Sequence, residues 1–243
     1  MHNKILAVLI VAVSIITSGC SFGESANSII KRSIAFYGMN KLNGKTIDFD
    51  FRKKHFTVKL NEGAFFYQST FKDGSLGLIK DQLSNHGFVR ERNGLVIPLS
   101  EKDSVKYAEA LNAVVYFAFL PLKLQDDAVN ARFMRSVQIN GKLYHQIEVT
   151  FDAENGGSHH DDVFYFWFDD KDSSMDYFAY SKGGNRFRAI NGLINAKGLY
   201  LQNYLNLENK NNQKTALKDY YKLYEQDKLH LLSEIELKNL VVN

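Results

Sequence analysis

Four side chains able to ligate a metal stand in a row in "GGSHHDDVF": His159, His160, Asp161 and Asp162, beside the pair Gly156-Gly157. Neutral imidazole and carboxylate suit zinc or iron, and His55 or His145 would be available as a third ligand. On a strand, His159 and Asp161 would share one face and His160 and Asp162 the other. No HExxH-type spacing fixes such a geometry, and adjacent His and Asp at a loop–strand junction also make an ordinary solvated turn. The expectation is no metal and no cofactor, with a metal-dependent hydrolase at His159–Asp162 as the alternative.

Arg186 and Arg188 flank Phe187 in "NRFRAI" and so share one strand face. A guanidinium pair can grip the carboxylate or phosphate of a ligand. The competing reading is a cross-strand ion pair on an outer surface, which contributes little. The sequence has no GxSxG elbow, phosphate loop or dinucleotide fingerprint. The acidic pairs Asp126-Asp127 and Asp169-Asp170 are consecutive, so on strands they diverge and make poor acid–base partners. A non-catalytic protein is expected.

Cys20 is the only cysteine among 243 residues, which excludes an internal disulfide and a multi-cysteine zinc site. It follows Lys4, an apolar run from Ile5 to Ile16 and a small-residue exit, the layout of an export signal too short to span a bilayer as a helix. "ITSGC" (16–20) resembles the lipobox of bacterial lipoproteins, although Thr17 stands where leucine is usual. That resemblance implies cleavage after residue 19 and acylation of Cys20, giving a membrane anchor. Ser21, in place of the aspartate that retains many lipoproteins in the inner membrane, implies the outer membrane, with the protein facing the periplasm. The expected organisation is a signal peptide over 1–19, a lipidated tether over 20–28 and one domain over 29–243. A formal net charge of +3, without a long basic run, gives no support to nucleic-acid binding.

The elements that must position these residues are mostly strands. "KTIDFDFR" and "HFTVKL" alternate apolar and polar residues, and Asn140-Gly141 marks a hairpin. "DDVFYFWFDD" (161–170) is apolar on both strand faces, with Val163, Tyr165 and Trp167 on one and Phe164, Phe166 and Phe168 on the other. Both faces must therefore be covered. Residues 24–37 and 101–120 carry helical periodicity, and the second segment loses all charge from Ala110 to Leu122. These patterns predict a mainly β (α+β) fold: one large curved antiparallel sheet of roughly ten or eleven strands, or a half-open β-barrel. The inserted helix 101–120 would pack on the concave face and the N-terminal helix would partly cover the convex one. A short polar helical segment is expected near 215–226.

The runs "YFAFLP" (116–121), "DDVFYFWF" (161–168) and "YFAYSKGGNRFRAING" (177–192) resemble a family of uncharacterised bacterial lipoproteins that carry a domain of unknown function. The order helix, meander, inserted helix, meander also resembles the Lol-type lipoprotein-carrier fold, whose half-open barrels bind acyl chains. This second likeness rests on architecture and implies an apolar pocket between sheet and helix. The candidate ligand-binding residues are Tyr116, Phe119, Phe164, Phe166 and Trp167, with Arg186 and Arg188. A lipid or acyl ligand and the membrane, reached through acylated Cys20, are the expected partners. The alternative is an envelope scaffold whose aromatic surface docks on another protein.

Overall fold

The computed structural model describes residues 24–154, 161–181, 183–209 and 214–243. The segment read above as an export signal, together with Cys20, His159 and His160, lies outside them. Alternating sequence becomes alternating burial: β1 (Thr46–Phe51) buries Ile47 and Phe49 and leaves Asp48 and Asp50 toward solvent. The same logic builds β2 (Lys54–Asn61), β3 (Ala64–Asp73), β4 (Gly77–Ser84), β5 (Gly87–Arg92) and the two-residue β6 (Leu95–Val96). After a helix come β7 (Val129–Ile139), β8 (Lys142–Phe151), β9 (Phe164–Asp169), β10 (Met175–Tyr180), β11 (Arg186–Ala196) and β12 (Leu199–Glu208). β13 (His230–Ile235) and β14 (Leu237–Val242) complete the strands.

The expected single sheet is two. One runs β14-β1-β2-β3-β4-β5-β6 and the other β13-β12-β11-β10-β9-β8-β7, and every pairing is antiparallel. The chain passes from one sheet to the other at Glu236, a single residue between β13 and β14. At the opposite side β6 and β7 remain edges, so the two sheets make a half-open barrel.

Three α-helices lie among the described residues: α1 (Ala26–Phe36), α2 (Glu101–Ala118) and α3 (Tyr220–Glu225). Ser25 caps α1 by accepting a hydrogen bond from the Ser28 N–H at 3.2 Å. Ile29, Ile30 and Ile34 of α1 and Leu111, Val115 and Ala118 of α2 enter one core with inward residues of both sheets. The N-terminal helix thus fills the interior and does not cover the outside. A second core consists of Trp167, Tyr177, Phe187 and other residues of the β7–β13 sheet, closed by Tyr220, Tyr221 and Leu223 of α3. Trp167 and Phe166 lie on opposite faces of β9, and this is how a strand apolar on both sides is accommodated. The segment expected to be polar near 215–226 is an aromatic cover.

α1 ends against the β11–β12 turn. The Tyr200 N–H donates to the Tyr37 carbonyl at 3.0 Å, and a Cβ on Gly38 would stand 1.9 Å from the Gly198 carbonyl oxygen. Gly38 also has φ +69°, whereas Gly44 has φ +72° with open space around it. Gly38→Ala is therefore expected to cost well over 1 kcal/mol, roughly, and clearly more than Gly44→Ala, which carries the φ penalty alone. Equal melting temperatures for the two variants would show that this docking contact is loose.

Candidate functional site

α2 changes character along its length. Ser100 caps it by accepting from the Asp103 N–H at 3.1 Å, and Glu101 and Asp103 in the first turn suit the positive end of the helix dipole. This charged half lies outside, with Val105 exposed. It is pinned by Tyr107, whose ring centroid is 3.3 Å from the Arg90 guanidinium carbon. Arg90 in turn donates from Nε and Nη2 to the two oxygens of buried Asp81, at 2.5 and 2.7 Å. The uncharged half goes inward. Its Phe117 ring lies 5.3 Å from Tyr180 and 5.9 Å from Phe178, both on β10.

Beside Phe117 is a cavity of about 190 Å³. Ala113, Val114 and Ala118 of α2 form one wall, and Phe51, Ile235 and Leu237 at the seam of the two sheets form another. Its polar groups are Arg52, Arg188, Gln202 and Tyr204. Gln202 donates to the Met175 carbonyl at 2.9 Å and accepts from the Tyr204 hydroxyl. Burial, the largest influence on it, pushes the Tyr204 phenol well up, so this group stays neutral.

Arg188 differs. An inward row crosses five strands, Phe166, Phe178, Arg188, Asn206 and Ser233, each directly opposite the next. Arg188 stands where that row turns from apolar to polar, and it is 8% exposed. Its Nη2 donates to the Tyr180 hydroxyl at 2.7 Å, and the Phe117 and Tyr180 ring centroids are each 5.5 Å from its guanidinium carbon. Its Nε is buried without an acceptor. The neighbouring Arg186 has a different setting, 3.7 Å from Glu208 and donating to the Asn185 carbonyl. The arginine pair expected from sequence is therefore split: one cation faces a carboxylate, and the other lines the cavity.

The remaining candidates are distributed as follows. Tyr116, Phe119, Phe164 and Phe166 are packed into the inner core, with Phe164 stacked 5.3 Å from Tyr180 and Phe119 6.3 Å from Phe49. The Tyr116 hydroxyl is buried without a partner. Trp167 is separated from them by the thickness of the sheet. Phe117 and Val114, which line the cavity, differ from the expected set by the rotation of α2. Its periodicity shows which residues share a face but not which face meets the opening.

No group of three His, Cys, Asp or Glu among the described residues is placed to hold a metal ion. Asp161 is exposed and Asp162 accepts from the Ser181 hydroxyl at 3.2 Å. His55 sits 2.8 Å from Asp50. His145 Nε2 lies 3.0 Å from Asp170 and 3.2 Å from Glu24, and its Nδ1 lies 3.1 Å from the Ser136 hydroxyl. Ser136, His145 and Asp170 are residue types of a hydrolytic triad, but Ser136 is exposed on edge strand β7, away from the cavity.

Two larger grooves, 560 and 530 Å³, flank the end of α1. Their walls mix apolar residues with turns, such as Asn61-Glu62-Gly63 in one and Lys197-Gly198 in the other. Size favours the grooves and chemistry favours the smaller cavity, because it alone of the three is lined by Arg188.

The profile of a family of unknown function, DUF6503, matches residues 4–237. Among solved structures, a DUF1329 family protein from Desulfovibrio piger superposes with a TM-score of 0.51 at 9% identity, over 88% of this chain and 92% of its own. A LolA superfamily protein from Nitrosomonas europaea gives 0.49 at 9% identity, over 89% and 93%. No curated protein matches the sequence. At such identities the first likeness speaks for a shared fold and nothing finer. The family match covers nearly the whole length, and the chain belongs to DUF6503, a family of unknown function.

Proposed function

We propose that this protein is a lipid-anchored envelope lipoprotein that binds an apolar, acyl-type group between α2 and the inner sheet faces, without catalysing a reaction. The observation carrying this reading is the cavity beneath the uncharged half of α2, walled by Val114, Phe117, Ile235 and Leu237. Its 190 Å³ is below the usual range for ligand pockets, about 300–1,000 Å³, so a long chain must displace the helix. α2 suits that motion: only Leu111, Val115 and Ala118 of its residues are buried. Acylation of Cys20, after removal of residues 1–19, would tether the domain through the few residues that precede α1 to the outer membrane, facing the periplasm.

Native mass spectrometry of acylated protein extracted from membranes is expected to show a retained lipid-sized molecule. Val114→Trp, which fills the cavity from the helix side, should weaken binding of a fluorescent acyl probe by about tenfold or more. A wild-type protein that retains nothing and ignores the probe, or a Val114→Trp protein that binds it equally well, would count against the reading.

A second reading, docking on an envelope protein, draws on Leu95 and Val96 of edge strand β6, which are 74% and 68% exposed. In-cell crosslinking from Leu95 that recovers no specific protein would remove it.

A further inference from the structure

Arg188 is a cation held in an apolar place without an anion. Burying an unpaired charge is expensive, and proteins normally offset it with a carboxylate. This chain does so elsewhere: Arg90 faces Asp81, Lys123 faces Asp126 at 3.3 Å, and Arg186 faces Glu208. Arg188 has two aromatic rings, one tyrosine hydroxyl and a buried Nε that donates to nothing. Directly across the strand pair, the Asn206 Oδ1 is likewise buried without a donor, while its amide donates to the Ser233 hydroxyl at 3.1 Å.

We infer that Arg188 receives the acidic head group of an amphipathic ligand whose acyl chain lies beneath α2. The inference rests on the acyl-binding reading of the same cavity and adds the head group to it. A planar fork of N–H donors matches a carboxylate or a phosphate. Dry aromatic surroundings strengthen the attraction because water does not compete for the charge. The cavity offers both kinds of contact side by side: Arg188, Gln202, Tyr204 and the exposed Arg52 supply polar groups, and Ala113, Val114 and Phe117 of α2 supply apolar ones.

Binding of decanoate, decyl phosphate and the neutral methyl decanoate to the whole mature protein, measured by displacement of a fluorescent acyl probe, tests the inference. The wild type should bind at least one of the two acids about tenfold or more tighter than the ester. Whichever acid wins identifies the head group as carboxylate or phosphate. Arg188→Met should lose the preference for acid over ester, while Arg188→Lys keeps part of it. Without ligand, Arg188→Met should melt no lower than wild type, since it removes a buried charge that has no counter-ion.

If acid and ester bind the wild type equally, the head-group inference falls and the acyl site stands. If neither binds, the acyl reading fails and the inference fails with it. A preference for acid that survives in Arg188→Met overturns the assignment to this residue. Should Arg188→Met not fold, Arg188→Lys decides: a reduced acid-to-ester ratio supports the inference and an unchanged ratio overturns it.

Discussion

Trp167→Ala is expected to lower the unfolding free energy by about 3–5 kcal/mol, among the largest losses any single truncation in this chain should produce. The indole is fully buried, 5.6 Å from Phe187 and 5.8 Å from Tyr221 between ring centroids. Its Nε1 has no hydrogen-bond partner, so the side chain acts there as apolar volume alone. Removing it opens a void under α3, whose six residues are too few to persist without that contact. Trp167→Phe should cost much less, because it keeps a ring against Phe187 and strands no polar group. Chemical denaturation followed by far-ultraviolet circular dichroism measures both. A loss below about 1 kcal/mol for the alanine variant would mean that the outer face does not depend on the α3 cover.

Arg90→Ala is the second large effect, again about 3–5 kcal/mol, and it acts through the group left behind. Asp81 is 3% exposed, and both of its oxygens are occupied by Arg90. Without the guanidinium a carboxylate remains inside the protein unpaired, which costs more than the ion pair itself contributes. The same substitution also removes the platform under Tyr107 and leaves that ring only its 6.4 Å contact with Phe88, so the charged half of α2 is held less firmly to the β14–β6 sheet. Amide exchange over 101–108 should therefore accelerate more than in the rest of the helix. Replacing both partners, Asp81→Leu with Arg90→Met, should recover most of the stability and leave the exchange fast. If the double variant is as unstable as Arg90→Ala, stranded charge is not the cause.

The sequence made the strands, their faces and the inserted helix legible, and the structure differs where one residue decides between sheets. "HLLSEIELKNLVV" reads as one long strand, yet Glu236 breaks it into β13 and β14 in different sheets. Alternation continues through such a corner unchanged, so periodicity cannot reveal it. Residues 215–226 look polar because Lys218, Asp219, Lys222, Glu225 and Gln226 surround the tyrosines, and only the neighbouring face of β9 shows what the tyrosines are for. That face was already visible in the doubly apolar run 163–168, which required two covers without naming them. At the candidate site, Arg186 and Arg188 are equivalent by sequence, two apart on one strand. Their separation into a cation with a carboxylate and one without depends on Glu208 of β12, which lies 3.7 Å from Arg186. Phe117 and Val114 were hidden by the rotation of α2, a quantity that tertiary packing sets.

The seam at Glu236 has a consequence for how the chain acquires its shape. Most strands find a mate within one short turn, so each meander can zip up locally and quickly. β1 is different on one side: Asp50 meets Asn239 at 2.7 Å across a sequence separation of 189 residues. Closing so long a loop is entropically the slowest step of assembly, and until it happens β1 presents a bare edge to any passing strand. A chain made from its N-terminus onward keeps that edge open until residues 237–242, almost the last to appear, can pair with it.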